Sequence, residues 1–188
     1  MYSRNEEGHG IKHIKTVIEK SLKLSKNLDV DKNLVYTIAA YHDIGHYIDR
    51  KTHEIISADI FMKDEKIKKW FNDEERNIIK EAIEDHRSTN DKEPRTIYGK
   101  IVSSADRTIM DIDETIKRSY SYGLKHYKNI TEQQQIERVY NHLFEKYSEG
   151  GYAKHYLDDE EYDTSLKRLR EALSNKDEFI KRIINVIK

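Results

Sequence analysis

One proline in 188 residues leaves almost nothing to interrupt a helix. Seven glycines add little more, so the chain lacks the turn material of a β-sandwich and is free to be helical over most of its length. Its apolar residues carry the matching period. From Gly10 to Leu28 they fall at Ile11, Ile14, Val17, Ile18 and Leu22, the i, i+3, i+4 recurrence of one helix face. Without that recurrence, a chain 37% charged and 36% hydrophobic would sit close to disorder. With it, the expectation is an all-α helical bundle forming a single domain over residues 1–188.

The same reading continues along the chain. Asp29 or Asp31 can cap a second helix with Val35, Ile38 and Ala39 as its stripe, ending near Gly45 with His42 and Asp43 in the last turn. A third helix runs from His53 to about Met62, with Ile56, Ala58 and Ile60 as packing positions. Asn72 caps a fourth, Glu75 supplying the capping-box acid and Ile79, Ala82 and Ile83 the stripe that ends at His86. Ser88 to Arg95, with Asn90, Asp91 and Pro94, reads as a loop. Beyond it, Ile97 to about Arg118 reads as one helix with Ile101, Val102, Ala105 and Ile109 apolar and Asp106 among them. The remainder divides at Gly150-Gly151 into helical runs at 133–147, 162–173 and 177–187. These C-terminal helices are expected to complete the core or wall a cleft.

Composition narrows the chemistry. Lysine and arginine number 34 against 35 acids, a net charge of −1, so no global field draws in nucleic acid or an anionic membrane. There is no cysteine, which excludes disulfides, zinc–thiolate sites and thiol catalysis; any metal must be held by histidine and carboxylate, and nine histidines are available. No stretch approaches the ~18 apolar residues of a membrane span, and no apolar leader opens the sequence. A cytoplasmic location is expected.

Several ionisable residues sit on core-facing positions, where an unpaired polar group costs several kcal/mol. His42 lies at i+7 from Val35 and His86 at i+7 from Ile79, so both point inward. Asp43 adjoins His42, Asp106 follows Val102 by four residues, and His13 precedes Val17 by four. Asp43 at a helix C-terminus opposes the macrodipole, and Asp106 is a poor helix former in mid-helix. Any one of these is most often an ordinary hydrogen-bonded residue. Together they are the inventory of a His/Asp site for a divalent cation. His9, one turn before His13, stands where it can face the same cleft or fray with the terminus.

These residues carry a resemblance: His13, then Ala39-Ala40-Tyr41-His42-Asp43-Ile44-Gly45-His46, then Ser104-Ala105-Asp106-Arg107. The pattern resembles the HD superfamily of metal-dependent phosphohydrolases over about residues 9–118, leaving 119–188 as a C-terminal helical extension. The resemblance implies that His13, His42, Asp43 and Asp106 bind a first metal. It also implies that His53 and His86 sit where some members hold a second, bridged by Asp43. One or two divalent ions are therefore expected, from among Mn, Fe, Co, Ni, Zn and Mg. His46 stands where the family often places a lysine.

The activity the resemblance implies is hydrolysis of a phosphate ester through metal-activated water, with Asp43 at the centre of the machinery. Arg87 and Arg107 are candidates for absorbing phosphoryl charge, and His46 for protonating the leaving group. The expected partner is a nucleotide or another small phosphorylated metabolite; self-association is left open. Two other readings keep the fold: a di-iron oxygenase, in which His53 and His86 become obligatory, and a non-catalytic binding module with a structural metal. Substrate choice is expected to lie with the 88–95 loop and the tyrosine-rich segment from Tyr120 to Tyr156, most of whose rings are expected to pack.

Overall fold

The computed structural model describes residues 2–5, 7–90, 92–107 and 111–188. They group into two compact units: one runs to Arg107 and takes in His155–Asp158, and the other holds the rest. Among the described residues every regular element is helical. No helix there is long and apolar enough to cross a membrane.

In the first unit, short 3-10 turns at Tyr2–Arg4 and Glu7–His9 lead into α1 (Ile11–Leu24). Helix α2 (Lys32–Tyr41) starts at Asp31, whose side chain accepts from the Asn33 N–H at 2.7 Å. It stops four residues short of Gly45. The chain there tightens into i→i+3 turns, His46 N–H to the Asp43 carbonyl and Ile48 N–H to the Gly45 carbonyl. A Cβ on residue 45 would lie 2.7 Å from Ile56 Cγ2 and 2.9 Å from the Ser57 nitrogen, so this turn approaches the next helix only because Gly45 has no side chain.

Helix α3 (His53–Lys63) buries His53, Ser57, Ala58 and Phe61. Phe61 is thus the anchor, whereas Ile56 and Ile60, expected on the packing face, are half-buried. One further turn, α4 (Glu65–Lys68), is capped by Asp64, which also accepts from the Tyr41 hydroxyl at 2.8 Å. Helix α5 (Asp73–Asp85) opens on the anticipated capping box: Glu75 N–H to Asn72 Oδ1 at 2.9 Å, and Asn72 N–H to Glu75 Oε2 at 2.8 Å. In the loop before α6 (Ile97–Asp106), Arg95 donates to Asp85 and Glu84, tying the loop to α5; Asp91 lies outside the described residues. Val17, Leu34, Ile38, Phe61, Ile79, Ile83 and Val102 form the core.

The helix expected over 97–118 is two helices. Helix α6 ends at Asp106, after which Arg107 leaves helical geometry at φ −89°, ψ 51°. Helix α7 (Ile112–His126) starts afresh, with the Asp111 side chain accepting from the Asp113 N–H at 2.8 Å. An aspartate is a better cap than a helix-interior residue, a signal the apolar periodicity overrode. Ile109 lies outside the described residues.

The second unit also contains α8 (Glu132–Tyr147), α9 (Glu160–Leu173) and α10 (Lys176–Ile187). Their caps are Thr131 with Gln134, Asp159 and Asn175. After α8 the chain turns at Gly150, whose φ of 83° suits glycine. Ile116, Val139, Leu143, Leu169, Phe179 and Ile183 make its core, with Tyr140, Tyr147 and Tyr162 buried among them.

Candidate metal centre

Four helices and one turn of the first unit converge on Asp43. Helix α1 contributes His13, the turn after α2 contributes His42 and Asp43, α3 opens with His53, His86 closes α5, and Asp106 is the last residue of α6. All six residues expected to bind metal are therefore brought together. The two Asp43 oxygens face different partners. Toward Oδ2 lie His13 Nε2 at 3.6 Å and His42 Nε2 at 3.5 Å; toward Oδ1 lie His53 Nε2 at 3.2 Å and His86 Nε2 at 3.5 Å. Asp106 Oδ1 completes the first set, 3.0 Å from His13 Nε2 and 3.7 Å from His42 Nε2.

Local backbone aims the imidazoles. His42 Nδ1–H donates to the Ala39 carbonyl at 2.8 Å, His53 Nδ1–H to that of Arg50 at 2.9 Å, and His86 Nδ1–H to that of Ile83 at 2.6 Å. Each ring thus spends one nitrogen on the carbonyl three residues back, which leaves Nε2 facing the centre. The buried Nε2 atoms of His13 and His42 make no hydrogen bond, although carboxylate oxygens lie within 4 Å. Donors that share an ion at about 2.0–2.2 Å stand roughly 3–3.5 Å apart and point at the ion instead of at each other. The arrangement fits a cation held by nitrogen and oxygen, and orphaned buried donors are otherwise costly.

Electrostatics agree. Burial weighs most on Asp43 and Asp106 and would raise both, yet the surrounding histidines hold each carboxyl well below the usual carboxylate range. Burial also opposes the charged form of His42, but Asp43 and then Asp106 outweigh it and keep the ring up at about 9. His53 is raised against the same burial by Asp43. His86 is lowered, burial prevailing with help from His42 and His53. Two carboxylates held ionised among histidines attract positive charge, which ring protons supply and a divalent cation could supply in their place.

The other expected residues lie around this centre. His46 is 5% exposed, stacked on His9 with centroids 4.0 Å apart and 5.2 Å from His53. Burial and then His9 push it down to about 4, so it enters as a neutral ring. Arg87 donates to the Lys51 carbonyl and, at 3.3 Å, to Glu54, whose carboxylate stands 3.5 Å from His53 Nδ1. Arg107 is buried directly after Asp106, under the Tyr156 ring at 5.2 Å. The Tyr156 N–H donates to Ser104 Oγ at 3.0 Å, so that tyrosine belongs to this unit and not to the packed set. His9, which the sequence marks only by its one-turn spacing to His13, has its Nδ1 2.6 Å from Asp43 Oδ2. Nothing in the sequence marks Glu54.

The family described as HD domain matches residues 10–111, which is more than half of the chain and contains all six converging residues. The chain belongs to the HD-domain family. HD domains typically bind divalent metals, in keeping with the His/Asp groups found here. An uncharacterized protein of Clostridium beijerinckii is 37% identical over 84 residues, or 42% of this chain; the match spans about half, 53%, of that relative's length. No solved structure matches.

Proposed function

We propose that the protein hydrolyses a phosphate ester of a nucleotide or another small phosphorylated metabolite, with divalent metal that the residues around Asp43 would hold. The observation that carries this reading is the division of labour on Asp43: His13 and His42 face Oδ2, while His53 and His86 face Oδ1. A purely structural metal needs one closed set of ligands, and the second pair would then be redundant.

His13, His42, Asp43 and Asp106 would hold one ion, and Asp43, His53 and His86 the other. When bound, such ions supply an activated water at neutral pH and Lewis acidity toward the phosphoryl oxygens. The chain's own residues do the rest. The carbonyls of Ala39, Arg50 and Ile83 hold three imidazoles in the tautomer that presents Nε2. Arg107, fixed beside Asp106, takes up phosphoryl charge, a stabilisation that works best from a preorganised, poorly hydrated position. Arg87 is the weaker phosphate contact, because Glu54 already accepts from it. His46, as a neutral ring, hydrogen-bonds the leaving oxygen.

The oxidative reading shares this geometry, since it requires His53 and His86 beside Asp43. One experiment separates the two. Protein purified without chelator is assayed for metal, then screened against phosphorylated metabolites with Mn, Co, Ni and Mg while oxygen is monitored. Phosphate release without oxygen uptake is the expected result; oxygen uptake, or no turnover with any metal, overturns the proposal.

A further inference from the structure

Ahead of α1, Tyr2 to Asn5 strap onto the turn that carries His42 and Asp43. The Tyr2 hydroxyl donates to the Ala40 carbonyl, and Asn5 Nδ2 donates to the Asp43 carbonyl at 3.0 Å and to the His9 carbonyl at 2.8 Å. One amide group thereby ties the backbone of His9 to that of Asp43. Arg4 lies over the Tyr47 ring at 5.6 Å, a second tie to the same turn. These contacts set the His9 ring on His46 and bring its Nδ1 within 2.6 Å of Asp43 Oδ2. His9, His13 and Asp43 each offer a ligand atom, all within 4.8 Å of one another. The family match begins at residue 10, so it assigns no role to His9.

We propose that His9 is a further metal donor, carried into the centre by this strap and joining His13, His42, Asp43 and Asp106 on the Oδ2 side. The inference rests on the metal-centre reading above. The geometry alone also allows a second role, in which His9 merely orients Asp43 by hydrogen bonding. The donor role is favoured by the orphaned His13 Nε2 beside it and by the stacking on His46, a contact to the His9 ring that does not involve Asp43. A third imidazole on one ion biases the site toward borderline metals such as Fe, Co, Ni and Zn over Mg, which prefers oxygen.

The test is a Co(II) titration of the full chain, read by calorimetry and by visible absorption, on wild type, His9→Ala, His9→Gln, Asn5→Ala and Asp43→Ala. Both His9 variants are expected to bind Co(II) about tenfold or more weakly and to change its ligand-field spectrum. Asn5→Ala, which keeps the imidazole but frees the strap, is expected to weaken binding less and keep the spectrum at saturation. His9→Gln preserves volume, so one folded variant suffices. Unchanged affinity in the His9 variants overturns the proposal, and so does weaker binding with an unchanged spectrum, which would mean that His9 acts only through Asp43. Wild-type binding in Asp43→Ala would instead defeat the metal-centre reading beneath it.

Discussion

The two units bury polar groups to different ends. In the second, Gln135 donates to the Tyr120 carbonyl at 3.0 Å and accepts from Arg138 at 2.8 Å, while Asp159 caps α9. Each of these polar side chains serves the fold. In the first, His42, Asp43, His46, His53 and His86 are all buried together, and ring nitrogens of His13, His42 and His46 have no hydrogen-bond partner. An interior that leaves donors unsatisfied loses stability, so the first unit is organised around something besides its own packing. The contrast teaches that function is read from the polar groups that packing fails to explain.

The contrast breaks most sharply at Asp43. Asp43→Ala is expected to remove bound metal and to lower turnover by several orders of magnitude, as checked by metal analysis and phosphate release; a variant retaining both would erase the distinction between the units. Phe179→Ala, in the hydrophobic core of the second unit, is expected to cost about 3–5 kcal/mol of stability. Denaturant melts measure that loss, and metal affinity per folded molecule should stay at its wild-type value.

A pH series sharpens the comparison further. Because His42 is held up at about 9 against an ordinary 6.5, its charged form stabilises the metal-free protein fully below about pH 6.5, and this contribution disappears as pH rises through 9. Metal replaces those protons, so metal affinity should climb over the same window and the loaded protein should melt without that alkaline loss. Smallest is Asn72→Ala, which removes the α5 cap at about 1 kcal/mol and should leave metal binding untouched, as a thermal melt paired with a metal titration would read.

Much of this was legible in the residues because it was local. The Asn72/Glu75 capping box and the inward stripe of Ile79, Ala82 and Ile83 are short-range patterns, and they fix where His86 emerges. The adjacent His42 and Asp43 were legible because a carboxylate beside a helix C-terminus is electrostatically unfavourable without a partner. What stayed hidden was non-local. The strap that delivers His9 depends on Tyr2 and Asn5 reaching carbonyls 38 residues away, and no periodicity encodes such contacts. Phe61 escaped because α3 buries a mixed face that includes His53 and Ser57. The break between α6 and α7 escaped because a continuous apolar period outweighed Asp111 as a cap.

Asp43 is proposed to stand between two cations. Anomalous diffraction from crystals grown with manganese tests it directly. Two peaks are expected, one against Oδ2 among His13, His42 and Asp106, the other against Oδ1 between His53 and His86. A single peak, or ions bound away from Asp43, would contradict it.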